Sequence, residues 1–269
     1  MPAGDGLFAG LEPVPLDVVE TTTVVPRRHD RKYVVAPEIL KSLTGPLARD
    51  FLVLEIDGRR LFRYETCYFD DNALRCYHDH RQGRRRRYKI RARSYLDTDL
   101  HYLEVKLKAL RGTTLKLRRP YRHDGGALSC SIAMDFVNSV LDEAYGMVQE
   151  SPLVPTLEVQ YARSTLISRT GGERVTIDRD ISFLGNRRLD HVPPGHWIIE
   201  TKGPRCSGQL DSLLRRLGQR PVRGCSKYCI GMGVTGQVHQ INRFMPAMSR
   251  LGFTNPGSTQ SAAVDASTD

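Results

Sequence analysis

Apolar and polar positions alternate most regularly between Arg84 and Pro120. Strand by strand, Ile90 and Ala92, then Leu103, Val105 and Leu107, then Leu115 and Leu117 fall on one parity. Lys89, Arg91 and Arg93, then Glu104, Lys106 and Lys108, then Lys116 and Arg118 fall on the other. Successive side chains of a strand point to opposite faces, so this pattern predicts three strands with one greasy and one cationic face. Asp97-Thr98-Asp99 and Arg111-Gly112-Thr113 suit the tight connections of an antiparallel meander.

Period-two segments recur at 27–35, at 51–71 on both sides of an Asp57-Gly58 turn, and at 155–167, 173–184 and 195–203. Helical spacing appears after Pro37 (Ile39, Leu40, Leu43, Leu47) and over 131–145 (Ile132, Phe136, Val137, Val140, Leu141), where Gly146 is the stop. A short helix is expected near 208–217 and another from Ser226-Lys227, Ser being a favoured N-cap. Residues 72–83 read as a connection. Residues 1–25 read as a flexible leader and 236–269 as a C-terminal extension, largely a disordered tail, around one domain over 26–235. The fold class is therefore mainly antiparallel β with peripheral helices (α+β), of eight or nine strands.

Charge sharpens this picture. A sheet with one face in water explains a polar face but normally mixes signs, whereas this face is almost all Lys and Arg. Like charges on adjacent strands repel unless an anion lies among them. The whole chain carries a formal charge of +10 and a pI near 9.5, which points to an anionic partner. The same parity places Arg28, Asp30 and Lys32 together, Tyr161 with Arg163, Asp178 with Thr176 and Arg174, and Glu200 with Lys202. A closed β-barrel tunnel would bring so many strands to a single lumen. That lumen has to hold water, ions or a polyanion, because unpaired buried charge costs several kcal/mol per ion. Arginine binds phosphate in a bidentate fork and lysine binds it as a point charge. The few acids suit Mg²⁺ or Mn²⁺ shared with substrate phosphates.

Several classes find no support. No run approaches the roughly 18 apolar residues of a membrane span, and no signal-peptide pattern opens the chain. The six cysteines (67, 76, 130, 206, 225 and 229) show no zinc spacing, so a reduced, cytoplasmic protein is expected. His78 and His80 beside Asp79 are expected to be solvated in a polar loop, and Trp197 to be core. Arg84–Arg87 would form an attractive funnel at the tunnel mouth. The basic faces lack interleaved aromatics for base stacking, which argues against nucleic acid.

RKYVV, YFDD, KIRARSY, LEVKLK, LKLR, VQYARS, RVTID, IIETK and SKYC follow one another in this order. In that series the chain resembles the polyphosphate polymerase domain of the vacuolar transporter chaperone (VTC) type, a branch of the triphosphate tunnel metalloenzymes. The resemblance spans about 27–233 and implies an antiparallel β-barrel tunnel. It implies that Lys32, Arg91, Arg93, Lys106, Arg163 and Lys227 bind the nucleotide phosphates and growing chain, assisted by Tyr161 and Ser226. It implies that Glu200 holds a divalent metal, Mn or Mg. Lys89, Lys116, Arg118 and Lys202 join the substrate-binding set from the alternation alone. The metal-binding first strand of the wider superfamily is reduced here to Arg28, Asp30 and Lys32, which favours the polymerase branch.

The expected activity is transfer of the ATP γ-phosphoryl group to phosphate or polyphosphate. Two alternatives stay open: a metal-dependent triphosphatase or tripolyphosphatase using Glu104 or Asp178, and a non-catalytic polyphosphate-binding module.

Overall fold

The computed structural model describes residues 7–22, 29–108, 114–128, 131–203 and 208–253. Arg28, Cys130, Cys206 and the Arg111-Gly112-Thr113 connection lie outside them. In chain order the elements are β1 (Glu12–Val14), α1 (Leu16–Thr22), β2 (His29–Val35), α2 (Pro37–Asp50), β3 (Phe51–Leu54), β4 (Phe62–Asp70), α3 (Arg75–Gln82), β5 (Tyr88–Tyr95), β6 (Leu100–Lys108), β7 (Thr114–Pro120), α4 (Ser131–Tyr145), β8 (Val154–Ser168), β9 (Arg174–Gly185), β10 (Arg188–His191), β11 (Trp197–Gly203), α5 (Gln209–Arg216), α6 (Lys227–Val234) and α7 (Met245–Arg250).

Eight strands form the path β2-β11-β9-β8-β4-β5-β6-β7, antiparallel throughout, with β1, β3 and β10 attached beside it. The expected meander is β5-β6-β7, in register Arg91↔Glu104↔Arg118 and Lys89↔Lys106↔Lys116. The sheet curls into a half-barrel. Lys106 on β6 feels the charges of Lys32 on β2 and of Glu200 and Lys202 on β11, at the far end of the strand path.

The closed barrel is a correction. Among the described residues no ladder joins β7 to β2. The Lys32 carbonyl on β2 instead accepts from Val222 N–H at 2.7 Å, so the segment before α6 takes up hydrogen bonding that a closing strand would need. The strand β7 is left as an exposed lip, and Leu115 on it is 48% exposed rather than packed.

The helices α2, α4 and α5 cover the outside of the sheet. Leu43 and Leu47 of α2 and Leu210 and Leu214 of α5 share a core with Tyr33, Val35, Ile177, Trp197 and Ile199. Each fully buried leucine contributes about 1.5–3 kcal/mol relative to exposure. Asp211 in the first turn of α5 accepts from Tyr33 Oη at 2.8 Å and Thr201 Oγ1 at 2.9 Å, and pairs with Arg31, fixing the helix to β2 and β11. The helix α4 covers β6, its Ala133, Val137 and Leu141 lying in one core with Leu103, Val105 and Leu107, although Ile132 of the expected stripe faces out.

Four expectations about connections and extensions fail for physical reasons. Residues 7–22 are no loose leader: β1 pairs with β3, and Leu7, Phe8, Leu11, Val14 and Val19 are buried. The Asp57-Gly58 turn makes no β3–β4 hairpin, because both strands run along the same side of β8 and the turn is an excursion between them. The connection at 72–83 contains α3, whose start is bound by acids: Asp70 accepts from the Cys76 and Tyr77 N–H groups, and Asp71 from that of Arg75. The extension beyond 235 folds as far as Phe253, with Phe244, Ala247, Met248 and Leu251 buried in the core. No helix among the described residues is long and apolar enough to cross a membrane.

Candidate functional site

The inner face of the half-barrel is organised around three carboxylates, each shared by more than one cation. Glu104 accepts from Arg91 Nε at 2.7 Å and Lys116 Nζ at 3.1 Å, with Arg93 NH1 at 3.7 Å. Asp178 is gripped in a bidentate fork by Arg163, at 2.5 and 2.8 Å, and also pairs with Lys227. Glu200 lies between Lys32 Nζ at 3.7 Å and Lys202 Nζ at 3.5 Å. Every node therefore keeps a cationic excess. Lys89 donates to Ser226 Oγ at 2.9 Å.

Burial alone would raise the carboxyl of Glu104, but Arg91, Arg93 and Lys116 hold it well below the usual carboxylate range. Asp178 is likewise lowered against burial by Arg163 and Lys227, and Glu200 by Lys32, Lys202 and Lys106. The strain falls on the lysines. Burial and the neighbouring charge of Lys32 bring Lys106 down to about 7, despite Glu200. Lys89, Lys116 and Lys202 are also lowered, in each case first by burial. Lys32 alone among these lysines is raised: burial opposes this, but Glu200 together with Cys225, Asp178 and Tyr68 outweighs it. Such a lining is relieved by a polyanion.

Tyrosines underlie the cations. Lys227 Nζ lies 4.3 Å from the Tyr161 ring centroid, and the Arg163 guanidinium 5.2 Å from it. Arg93 and Arg163 both stack on Tyr64, which in turn stacks on Tyr161. Opposite Tyr161, two residues of β9, Asp180 and Ile181, face one of β8, a bulge of the kind that re-aims side chains beside sites. The expectation that the basic faces lack aromatics is thus corrected, but these ring faces are covered by guanidinium and ammonium groups or by one another.

The buried polar atoms with no hydrogen-bond partner include Tyr161 Oη, a donor, and Glu200 Oε1, an acceptor that lies 3.5 Å from Lys202 Nζ. Buried groups of this kind mark a place where something else binds. An orphan carboxylate oxygen fits a hard divalent cation, and an orphan hydroxyl beside lysines fits a phosphate oxygen. Among the described residues no three His, Cys, Asp or Glu side chains cluster as metal ligands, so Glu200 would be the protein's one carboxylate there.

The fold brings together twelve of the thirteen expected residues. Lys32, Arg91, Arg93, Lys106, Arg163 and Lys227 line the inner face with Lys89, Lys116, Tyr161, Lys202, Ser226 and Glu200. Arg118 stands apart on the β7 lip, stacked on Tyr102 at 4.7 Å. Ser226 is the N-cap of α6, its Oγ accepting from Cys229 N–H at 3.4 Å, as its sequence position suggested. Sequence reasoning missed His80, which lies on α3 and lines a cavity with Lys32 and Ser226 instead of facing water in a loop. Arg87 and Arg243 line the same cavity. The Asp70-Asp71 pair ahead of Arg75 was the one signal that could have revealed α3.

An antiparallel half-barrel with this cation-rich interior has the triphosphate-tunnel architecture. The VTC domain model matches residues 27–235, and the chain belongs to that family. No curated protein matches it. Among solved structures it is similar to a candidate adenylate cyclase from Bacillus halodurans, at 14% identity over 74% of this chain and 93% of that one, with a TM-score of 0.48. It is also similar to a candidate adenylyl cyclase from Hippeastrum, reported with a dominant triphosphatase activity, at 14% identity over 80% and 98% and a TM-score of 0.47. The family match carries the assignment.

Proposed function

We propose that this protein is a polyphosphate polymerase-type phosphotransferase, passing the γ-phosphoryl group of ATP to phosphate or to a polyphosphate end. The supporting observation is the state of the three carboxylates. Glu104 and Asp178, the acids that a triphosphatase would need to activate water, each accept charge-assisted hydrogen bonds from two cations and stay ionised far below neutral pH. Neither is poised as a general base, which works best with a pKa near the operating pH. What the cleft offers in abundance is positioning and neutralisation of phosphate charge, the main requirements of phosphoryl transfer.

In this reading Arg91, Arg93 and Arg163 orient the phosphates of the nucleotide, and Lys32, Lys106 and Lys227 neutralise the charge that develops during transfer. Tyr161 Oη donates to a phosphate oxygen. Glu200 would hold Mn²⁺ or Mg²⁺, and a metal held there would supply further neutralisation of phosphate charge.

Incubation with ATP and Mn²⁺ or Mg²⁺, followed by separation of long chains, orthophosphate and ADP, tests this directly. Chains should form with ADP in proportion to polymerised phosphate, and Lys227→Ala should stop elongation more than it weakens nucleotide binding. Orthophosphate alone under every metal means a triphosphatase. Unconsumed ATP and tripolyphosphate mean a binding module.

A further inference from the structure

Next to the Lys32–Glu200 pair lies a cavity of ≈ 280 Å³ between α3, α6 and the segment leading into α7. Lys32, Arg87, Arg243, Ser226 and His80 line it, with Asp30 exposed at its rim. Arg243 lies beyond the residues that match the family model, so this chain's own extension completes the cavity. The Arg243 guanidinium is held in place: NH1 donates to the Arg81 carbonyl at 3.1 Å. Gly83, with φ 71°, is what admits it, since a Cβ there would come within 2.5 Å of that nitrogen. Arg87 is anchored on the Arg84 carbonyl, and Ser226 Oγ on Lys89 Nζ at 2.9 Å.

His80 is the unusual member. Its Nδ1 lies 2.8 Å from the Cys76 carbonyl, which can only accept, so Nδ1 carries the proton and Nε2 carries a lone pair. No described residue hydrogen bonds to Nε2. Burial first, then Lys89, Arg87 and Lys106, keeps the ring neutral, while the Cys76 carbonyl works weakly the other way. A ligand that satisfies this cavity needs negative charge for the cations and a hydrogen for Nε2. Sulfate and the internal phosphates of a chain have no O–H to give at neutral pH. Orthophosphate keeps one, and so does a chain's terminal phosphate in its singly ionised form.

We propose that this cavity is a subsite for a hydroxyl-bearing phosphate, with Lys32, Arg87 and Arg243 carrying its charge and His80 Nε2 accepting its P–OH hydrogen. It deepens the phosphotransferase reading, where it would seat the acceptor, and rests on that reading for its use. Binding of orthophosphate is measured without ATP or metal, so the two can fail separately.

The experiment is calorimetric titration of the full chain with orthophosphate and with sulfate. Orthophosphate should bind at least about tenfold more tightly, because a site built around a buried polar group rejects an analogue that cannot pair with it. Arg243→Ala should weaken orthophosphate binding about tenfold, the loss of one charge-assisted hydrogen bond. His80→Gln, whose amide can donate, should bring the two anions to within a few-fold of each other. Arg93→Ala, on the meander wall, should leave orthophosphate binding within twofold while weakening tripolyphosphate. If Arg243→Ala also weakens tripolyphosphate, chain ends use the subsite; if it does not, free phosphate is the occupant. Equal affinity of the unaltered protein for sulfate and orthophosphate, or unchanged orthophosphate binding in Arg243→Ala, overturns the proposal. So does a parallel loss of orthophosphate and tripolyphosphate in Arg93→Ala, which would place orthophosphate in the central cleft.

Discussion

On one wall of the cleft Glu104 meets Arg91, Arg93 and Lys116, and both of its oxygens accept hydrogen bonds. On the facing wall Glu200 meets Lys32 and Lys202 only at 3.7 and 3.5 Å, and its Oε1 accepts no hydrogen bond. Both carboxylates are buried, and both are lowered by neighbouring cations against the effect of burial. The difference lies in how far their lone pairs are used. Glu104 is saturated by the protein and holds three cations on adjacent strands at fixed distances. Glu200 is held loosely, with coordinating capacity left over. One glutamate acts as an internal counter-ion; the other, in the function proposed above, is left to take a metal.

Removing the saturated acid should have the largest effect. Glu104→Ala strands Arg91 and Arg93 in a nearly dry wall, and breaking a buried pair in this way costs about 3–5 kcal/mol. Chemical denaturation should show that loss, and a change under 1 kcal/mol would remove Glu104 from its structural role. Glu200→Gln should divide the two properties the other way. Metal-dependent turnover should fall on the order of a hundredfold or more with the loss of the metal's carboxylate. Its stability cost should stay below that of Glu104→Ala, and tripolyphosphate should still bind, because the lysines and arginines remain. Turnover that survives in Glu200→Gln would mean that the two acids do not differ as described.

The smallest effect comes from Lys106, which lies between the two walls. Its pKa near 7 in the empty cleft means that above pH 7 the free protein has lost this proton. A bound polyanion favours the charged amine, so binding must then take the proton back. Affinity for tripolyphosphate should therefore fall as pH rises from 7 to 9, by at most about tenfold per unit for one proton. Lys106→Arg, which stays charged, should keep only the slope due to the ligand's own titration. The same sign governs the empty protein: the unfolded chain holds this proton up to the ordinary lysine range, so the contribution of Lys106 to stability rises with pH above about 7.

Much of the cleft was legible in the chain because strand alternation is a local property. Lys89, Arg91, Arg93, Glu104 and Lys106 share a face for the same reason in the sequence and in the fold. The leucine stripes of α2 and α4 were legible too, apart from Ile132, since one face of a helix is decided by spacing and its neighbours only choose which edge of the stripe is covered. Two elements were hidden by their composition. The helix α3 is polar, and its start is stabilised by Asp70 and Asp71 acting from the preceding strand rather than by a periodic apolar face. The apolar residues of segment 7–22 are broken up by Gly, Pro and acids and keep no period, and they are ordered only because β3 and the α2 core are present to receive them.

By itself, then, the sequence determined the strands, their cationic parity and the identity of nearly every charged group on the inner face. These follow from backbone geometry within a few residues. Only the tertiary structure decided how far the sheet closes, since that depends on whether β7 or Val222 reaches the edge of β2, a competition between segments about a hundred residues apart. It alone decided which carboxylates are saturated and which one keeps an oxygen without a hydrogen bond, because an ion pair is made by strands that meet across the curl. It also decided that His80 and Arg243 line one cavity, because no local pattern records that α3 and the chain beyond 235 both pack against α6.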